Sequence, residues 1–275
     1  MPSTPEPAAT VMLLRDSRVS PEVLMLQRHA KSELLPDLYV FPGGRVDAQD
    51  RALIPHLGGF SEQGPRHKVL HLDMETVGTF LVAAIRETFE EAGILLARRR
   101  GERSLLDPEA LAPLLHHRLE LQSGHLGFGE LIERENLELA AECLTVHAHW
   151  ITPTIVPRRF DTLFLAALAP AGQLARHDGI ESSAHIWLRP EDALDQMRSG
   201  QRQIIFPTAC NLETLSGFAN AKQVLESSHT RPVVPVLPRL VERDGARKLV
   251  IPREAGYPTL EDPALGAVPK AQPRA

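Results

Sequence analysis

Arg86-Glu87-Thr88-Phe89-Glu90-Glu91-Ala92-Gly93-Ile94 puts three carboxylates and an arginine on little more than one helical turn, and this most constrains how the chain can fold. Glu87, Glu90 and Glu91 stand at i,i+3 and i,i+4 steps, so a helix gathers them on one face. Like charges at that spacing destabilise an isolated helix by about 0.2–0.5 kcal/mol per pair, so something must neutralise them. A divalent cation is the obvious agent. Val77, Leu81 and Ile85 form the apolar stripe of the same helix, Asp73 can cap its start, and Gly93 can end it.

Upstream, Tyr39-Val40-Phe41-Pro42-Gly43-Gly44-Arg45-Val46-Asp47 reads as an extended run broken by a Gly-Gly turn. Gly43 and Gly44 permit either a close backbone approach to a metal or phosphate, or a simple tight turn. Together the two pieces resemble a split Nudix box, whose family pattern is Gly, five residues, Glu, seven residues, then Arg-Glu-U-x-Glu-Glu-x-Gly-U with U bulky and aliphatic. Five residues after Gly44 stands Asp50, where the family has Glu, and 35 residues separate Asp50 from Arg86. Thr88 replaces the first U, whereas Gly93 and Ile94 fit.

The resemblance to Nudix hydrolases implies an α/β fold, a Nudix-type α/β/α sandwich with a mixed sheet, here with a helical insertion. It implies a Mg2+- or Mn2+-dependent hydrolase that cleaves the diphosphate bond of a nucleoside diphosphate derivative. Carried over by motif position, Glu90 and Glu91 are leading metal ligands, Glu87 is a further ligand or the base that activates water, and Arg86 orients a neighbouring carboxylate. Glu90 is counted with Glu87 and Arg86 in the catalytic set, since family members differ in which acid is the base. Glu181, six residues before Trp187, matches a loop acid that many Nudix enzymes use for metal binding or catalysis; the alternative is an exposed loop acid.

Leu24-Met25-Leu26-Gln27-Arg28, Trp150-Ile151-Thr152-Pro153 and Pro157-Arg158-Arg159-Phe160-Asp161-Thr162, with the long insertion inside the box, are similar to the coenzyme A diphosphatase branch, typified by a peroxisomal enzyme. This resemblance runs from about Ala9 to Leu225. Coenzyme A or an acyl-coenzyme A is the substrate it implies, with ADP-ribose, NADH or another nucleoside diphosphate derivative as alternatives. A fuller coenzyme A signature has His and Gly before Phe-Pro-Gly-Gly, where this chain has Pro36-Asp37-Leu38-Tyr39. A non-catalytic nucleotide-binding module is the reading from another class, opposed by the retention of mutually repelling acids.

Arg28, Arg158 and Arg159 offer guanidinium forks to substrate phosphates, or serve as ion pairs. His147 and His149 alternate along a strand, and one exposed and one packed histidine is a better reading than a metal pair. Phe128 and Phe160 read as core or lid packing.

The 275 residues, 43% hydrophobic and 24% charged, suit one soluble catalytic domain with insertions. We expect a flexible lead over 1–8, a Nudix hydrolase domain over 9–258 with insertions at about 51–73 and 101–142, and a disordered tail over 259–275. Strands are expected at Ala9–Arg15, Val23–Arg28, Leu144–Ile151 and Phe160–Leu168, a helical insertion from Asp107 to Glu142, a helix over Leu212–Glu226, and a hairpin through Asp244-Gly245. A net charge of −5 gives no global pull toward nucleic acid or anionic membrane, leaving a small-molecule nucleotide as partner. Cys143 and Cys210 lack metal-ligand spacing, and with no leader or long apolar run they indicate a reducing, cytoplasmic home. Residues Asp107 to Glu142 and the C-terminal hairpin are also read as self-association elements giving a homodimer.

Overall fold

Ala9, Val11 and Leu13 alternate with Met12 and Leu14 along the first strand, and the two sets join different hydrophobic clusters. Successive strand residues point to opposite faces, so this strand has core on both sides. The computed structural model describes residues 3–30, 36–61, 69, 71–243 and 246–262. In chain order, β1 (Glu6–Arg15), β2 (Glu22–Arg28), β3 (Tyr39–Val40), β4 (Gly43–Arg45) and β5 (Leu57–Gly58) precede helix α1 (Met74–Ala92). Then come β6 (Ala97–Arg99), the short helices α2 (Pro108–Leu111), α3 (Arg118–Gln122) and α4 (Phe128–Arg134), and strands β7 (Leu137–Ala140), β8 (Thr145–Ile151), β9 (Phe160–Leu168) and β10 (Ser182–Leu188). The chain continues through α5 (Pro190–Arg198), α6 (Phe206–Leu215), α7 (Ala221–Thr230), β11 (Pro235–Val236), β12 (Arg239–Arg243), β13 (Ala246–Val250) and β14 (Glu261–Asp262).

The main sheet runs β10-β2-β1-β9-β8-β11, with β3 on β2 and β4 on β1. β1 with β9 and β8 with β11 are parallel and the other pairs antiparallel, so the sheet is mixed as expected. Along one edge β1 changes partner: Ala8, Ala9 and Thr10 pair with β4, whereas Leu14 and Arg15 pair with β2. Helix α1 packs on one face and α5, α6 and α7 on the other, which makes the α/β/α sandwich. Asp73 caps α1 by accepting from the Thr76 N–H, and Gly93 ends it in the left-handed conformation at φ 68°.

Several expectations change. β1 starts at Glu6, and Glu6, Pro7 and Ala8 of the expected flexible lead pair with β9. The segment from Asp107 to Glu142 is not purely helical: its end forms β7, which joins β5 and β6 in a second sheet and buries Leu137 and Leu139. The helix expected over Leu212–Glu226 is two helices, because Gly217 turns the chain at φ 82° and Asn220 caps the second. β12 and β13 form the expected hairpin with Leu240 opposite Leu249, while Asp244 and Gly245 lie outside the described residues. Glu261–Asp262, inside the expected tail, pair with β13; residues 263–275 lie outside the described set. Within the expected 51–73 insertion, residues 51–56 belong to a 3-10 turn and 57–58 form β5, and residues 62–68 and 70 lie outside the described set. Among the described residues no helix is long and apolar enough to cross a membrane.

Candidate active site

Arg86, near the C-terminal end of α1, is buried and fully engaged. Its Nε donates to Asp50 Oδ1 at 2.8 Å, its Nη2 to Asp50 Oδ2 and the Arg45 carbonyl at 2.9 Å each, and its Nη1 to Glu87 Oε1 at 2.8 Å. Glu90 Oε1 lies 3.6 Å away. Burial opposes the guanidinium's charge, but the Asp50 hydrogen bonds and the carboxylates of Glu87 and Glu90 outweigh it and hold Arg86 protonated above its ordinary range. Asp50 is only 1% exposed and also accepts from the Asp47 N–H. The 3-10 turn Asp50–His56 packs against α1, so aspartate meets the arginine from the position where the family carries glutamate. Thr88 is buried where an aliphatic side chain was expected, and its hydroxyl donates to the Ala84 carbonyl, so no polar group is left stranded.

The acids are less well served. Glu91 is buried, and its Oε2 accepts from the Gly43 N–H at 2.9 Å. A side chain on Gly44 would place its Cβ 2.5 Å from the Glu87 carboxyl carbon, and Gly43 at φ 152° lies against the Ala9 carbonyl. The glycine pair is therefore both a turn and a close approach. Burial, then repulsion from Glu90, pushes the Glu87 carboxyl up to about 7 against the pull of Arg86. Glu90 is raised by burial despite Arg86, and Glu91 is raised well above the usual range by burial and then by Glu87, against the Gly43 hydrogen bond. A shared buried face whose carboxylates resist ionising together lacks positive charge.

These acids border a cleft of about 590 Å3. Glu87, Glu90, Glu91 and Glu181 line it together with Arg28, Arg45 and Arg158, and Ala8, Thr10 and Thr162 contribute from the sheet. Phe160 also lines it, with the Arg158 guanidinium 5.5 Å from its ring centre, so Phe160 is not simply core. Phe128 is core, as expected. Arg158 and Arg45 approach the half-buried Glu6 at 3.8 and 3.5 Å. Arg159 corrects the reading that paired it with Arg158: it is buried, donates to the carbonyls of Thr152 and Ser3, and does not line the cleft. Arg45, Asp50 and Gln122 complete the setting; Arg45 follows the glycine pair directly, whereas nothing in the sequence pattern marks Gln122.

The histidine expectation also changes, since both are buried, His147 at 2% and His149 at 3%. His147 meets the hydroxyls of Ser228 and Thr214, while His149 meets His71 and Asp161, so the two serve separate contacts. Cys143 and Cys210 are free thiols. A separate depression of about 640 Å3, lined by Ala52, Ile54 and Phe60, carries no comparable acid cluster.

In the arrangement present, no three His, Cys, Asp or Glu side chains among the described residues stand ready as a metal cage. The donor chemistry nevertheless fits a hard divalent cation: the available side-chain donors are carboxylate oxygens, crowded enough to raise one another's protonation. Such a cation keeps several waters and takes ligands from substrate phosphates, so a complete protein cage is not required.

The family model described as the NUDT19 Nudix domain matches residues 5–215. An acyl-coenzyme A diphosphatase NUDT19 from Gallus gallus is 30% identical over 88% of this chain and 74% of its own length. Its namesake from Xenopus laevis is 28% identical over 72% of this chain and 60% of its own length. The solved NUDIX hydrolase from Alicyclobacillus acidocaldarius superposes with a TM-score of 0.66 at 26% identity, covering 82% of this chain and 96% of that one.

Proposed function

This chain belongs to the NUDT19 Nudix domain family and is a Nudix hydrolase, and from that premise we propose that it cleaves the diphosphate bond of coenzyme A or an acyl-coenzyme A with Mg2+ or Mn2+. The observation that carries this reading is a cleft that joins four glutamates to four arginines, Arg86 among them. Its acids suit a cation and its guanidinium groups suit phosphate oxygens. The names of the Gallus and Xenopus relatives supply the substrate class.

In this mechanism Glu87, Glu90, Glu91 and Glu181 would hold the cation, which would supply Lewis-acid polarisation of a phosphate and a more acidic water. Arg86, clamped by Asp50, fixes the Glu87 carboxylate, and the Gly43 N–H fixes that of Glu91. Arg28, Arg45 and Arg158 receive phosphate oxygens, and Phe160 gives an apolar contact beside them. A water oxygen bonds to one phosphorus, the bond from that phosphorus to the bridging oxygen breaks, and an acid of the cleft takes the water's proton. The products are adenosine 3',5'-bisphosphate and 4'-phosphopantetheine or its acyl derivative. No covalent enzyme intermediate is needed.

The test is product analysis by mass spectrometry after incubation with Mg2+ and an equimolar panel of coenzyme A, acetyl-coenzyme A, ADP-ribose, NADH and diadenosine polyphosphates. Preferential cleavage of the coenzyme A compounds, absent in Glu91→Gln, supports the reading. Preference for ADP-ribose, NADH or a diadenosine polyphosphate removes the substrate assignment and keeps the hydrolase. A chain that binds these compounds without cleaving any would be a nucleotide-binding module.

A further inference from the structure

Helix C-termini leave their last carbonyls without intrahelical donors, and α1 ends beside the acids. Two of those carbonyls are met from distant segments. The Ala92 carbonyl accepts from the Arg176 N–H, and the Glu90 carbonyl accepts from the Arg118 side chain at 2.8 and 3.1 Å and from Gln122 Nε2 at 3.1 Å. Arg118 and Gln122 lie on α3, inside the inserted segment. The insertion therefore caps the acidic helix with a cation and an amide.

Gln122 does something further with the same nitrogen. Nε2 also donates to Asp178 Oδ2 at 2.8 Å. Both acceptors are oxygens, so the amide orientation is fixed: turned over, its oxygen would face two acceptors. Asp178 in turn organises the turn leading into β10, accepting from the backbone N–H groups of Ile180, Glu181 and Ser182 at 3.1, 3.2 and 2.9 Å. Gly179 gives that turn its left-handed residue at φ 77°, and the His29 N–H holds the Glu181 carbonyl from β2's end. The side chain of Glu181 lines the cleft, as does Gln122 itself.

We propose that Gln122 is a positioning residue that ties the acidic end of α1 to the turn carrying Glu181, so that the inserted segment sets where Glu181 stands in the cleft. The catalytic consequence rests on the diphosphatase reading above, whereas the link itself stands on hydrogen bonds alone. Among the described residues Gln122 Oε1 has no hydrogen-bond partner, so the contacts of this amide run through Nε2.

Gln122→Met keeps length and removes both donors; Asp178→Asn sets an amide nitrogen against one pair of donors, either Gln122 with the Glu181 N–H or the Ile180 and Ser182 N–H groups. Hydrogen exchange on the full chain, without metal or substrate, should show exchange at the Ile180, Glu181 and Ser182 amides faster by about tenfold, in Asp178→Asn because acceptors of these amides are lost and in Gln122→Met because Asp178 loses the bond that anchors it. Thermal unfolding confirms that each variant is folded. With Mg2+ and the best substrate of the panel, kcat should fall by about tenfold while KM changes little, as for a misplaced catalytic group. The double variant Gln122→Met/Glu181→Gln should lose no more than Glu181→Gln alone.

Unchanged exchange in Gln122→Met would overturn the proposal whatever Asp178→Asn does, since Asp178 holds those amides directly. Faster exchange with unchanged kcat, or losses that multiply in the double variant, would overturn it equally, since Gln122 would not be acting through Glu181. Absence of turnover in the unsubstituted chain would sink the diphosphatase reading alone, and the exchange result would still decide the link.

Discussion

The two faces of the main sheet bury polar groups in opposite ways. On the face covered by α6 and α7, Trp150 Nε1 donates to the Tyr257 hydroxyl at 2.8 Å, that hydroxyl donates to Asn211 Oδ1 at 3.2 Å, and Asn211 Nδ2 donates to the Pro207 carbonyl at 2.9 Å. His147 has a hydroxyl at each ring nitrogen. Donors there meet acceptors, and the network closes on itself. On the face covered by α1, Glu87 and Glu90 share Arg86, which is already clamped by Asp50, and Glu91 has the Gly43 N–H. The first arrangement is complete without a ligand; the second is short of positive charge. A satisfied buried network specifies the fold, whereas a crowded set of acids marks where something else binds.

Substitutions should separate the two faces, and the largest effect belongs to Glu91. Glu91→Gln retains an acceptor for the Gly43 N–H and removes a repelling charge. Steady-state assays should show turnover lower by at least about 100-fold, with thermal unfolding showing a midpoint no lower than that of the unsubstituted chain. Next comes the clamp beneath the acids. Asp50→Ala leaves the buried Arg86 without its bidentate partner and should cost about 3–5 kcal/mol in urea unfolding. This result would show that the α1 face has a structural part of its own.

Gly44→Ala is smaller and sharper. Its Cβ would meet the end of the Glu87 side chain, which can move, so stability should hold while turnover falls by about tenfold from the displaced carboxylate. The smallest effect is expected on the opposite face. Tyr257→Phe leaves the Trp150 N–H without its acceptor and should cost about 1 kcal/mol on thermal unfolding, with turnover unaffected. A loss of turnover in Tyr257→Phe would break the comparison.

The sequence made α1 legible because its determinants are local: the Asp73 cap, the stripe from Val77 to Ile85, the acids on one face and the stop at Gly93. The main strands were readable for the same reason. What escaped depends on partners far away in the chain. Leu137–Ala140 is a strand because β5 and β6 flank it, and four residues carry too short an alternation to announce that. Arg158 and Arg159 look equivalent, yet the direction of each side chain sends one to the cleft and the other to the carbonyls of Thr152 and Ser3. Asp178 and Gln122 lie 56 positions apart, and neither stands in a pattern that points to the other.

The central claim is that the acids on α1 await a cation, and thermal unfolding of the metal-stripped chain titrated with Mg2+ tests it most directly. A ligand that binds only the folded chain raises its midpoint with concentration. The account predicts a rise for the unsubstituted chain that begins near the dissociation constant and continues with the logarithm of Mg2+ concentration, largely lost in Glu91→Gln and retained in Tyr257→Phe. An absent rise, or an equal rise in Glu91→Gln, would contradict it.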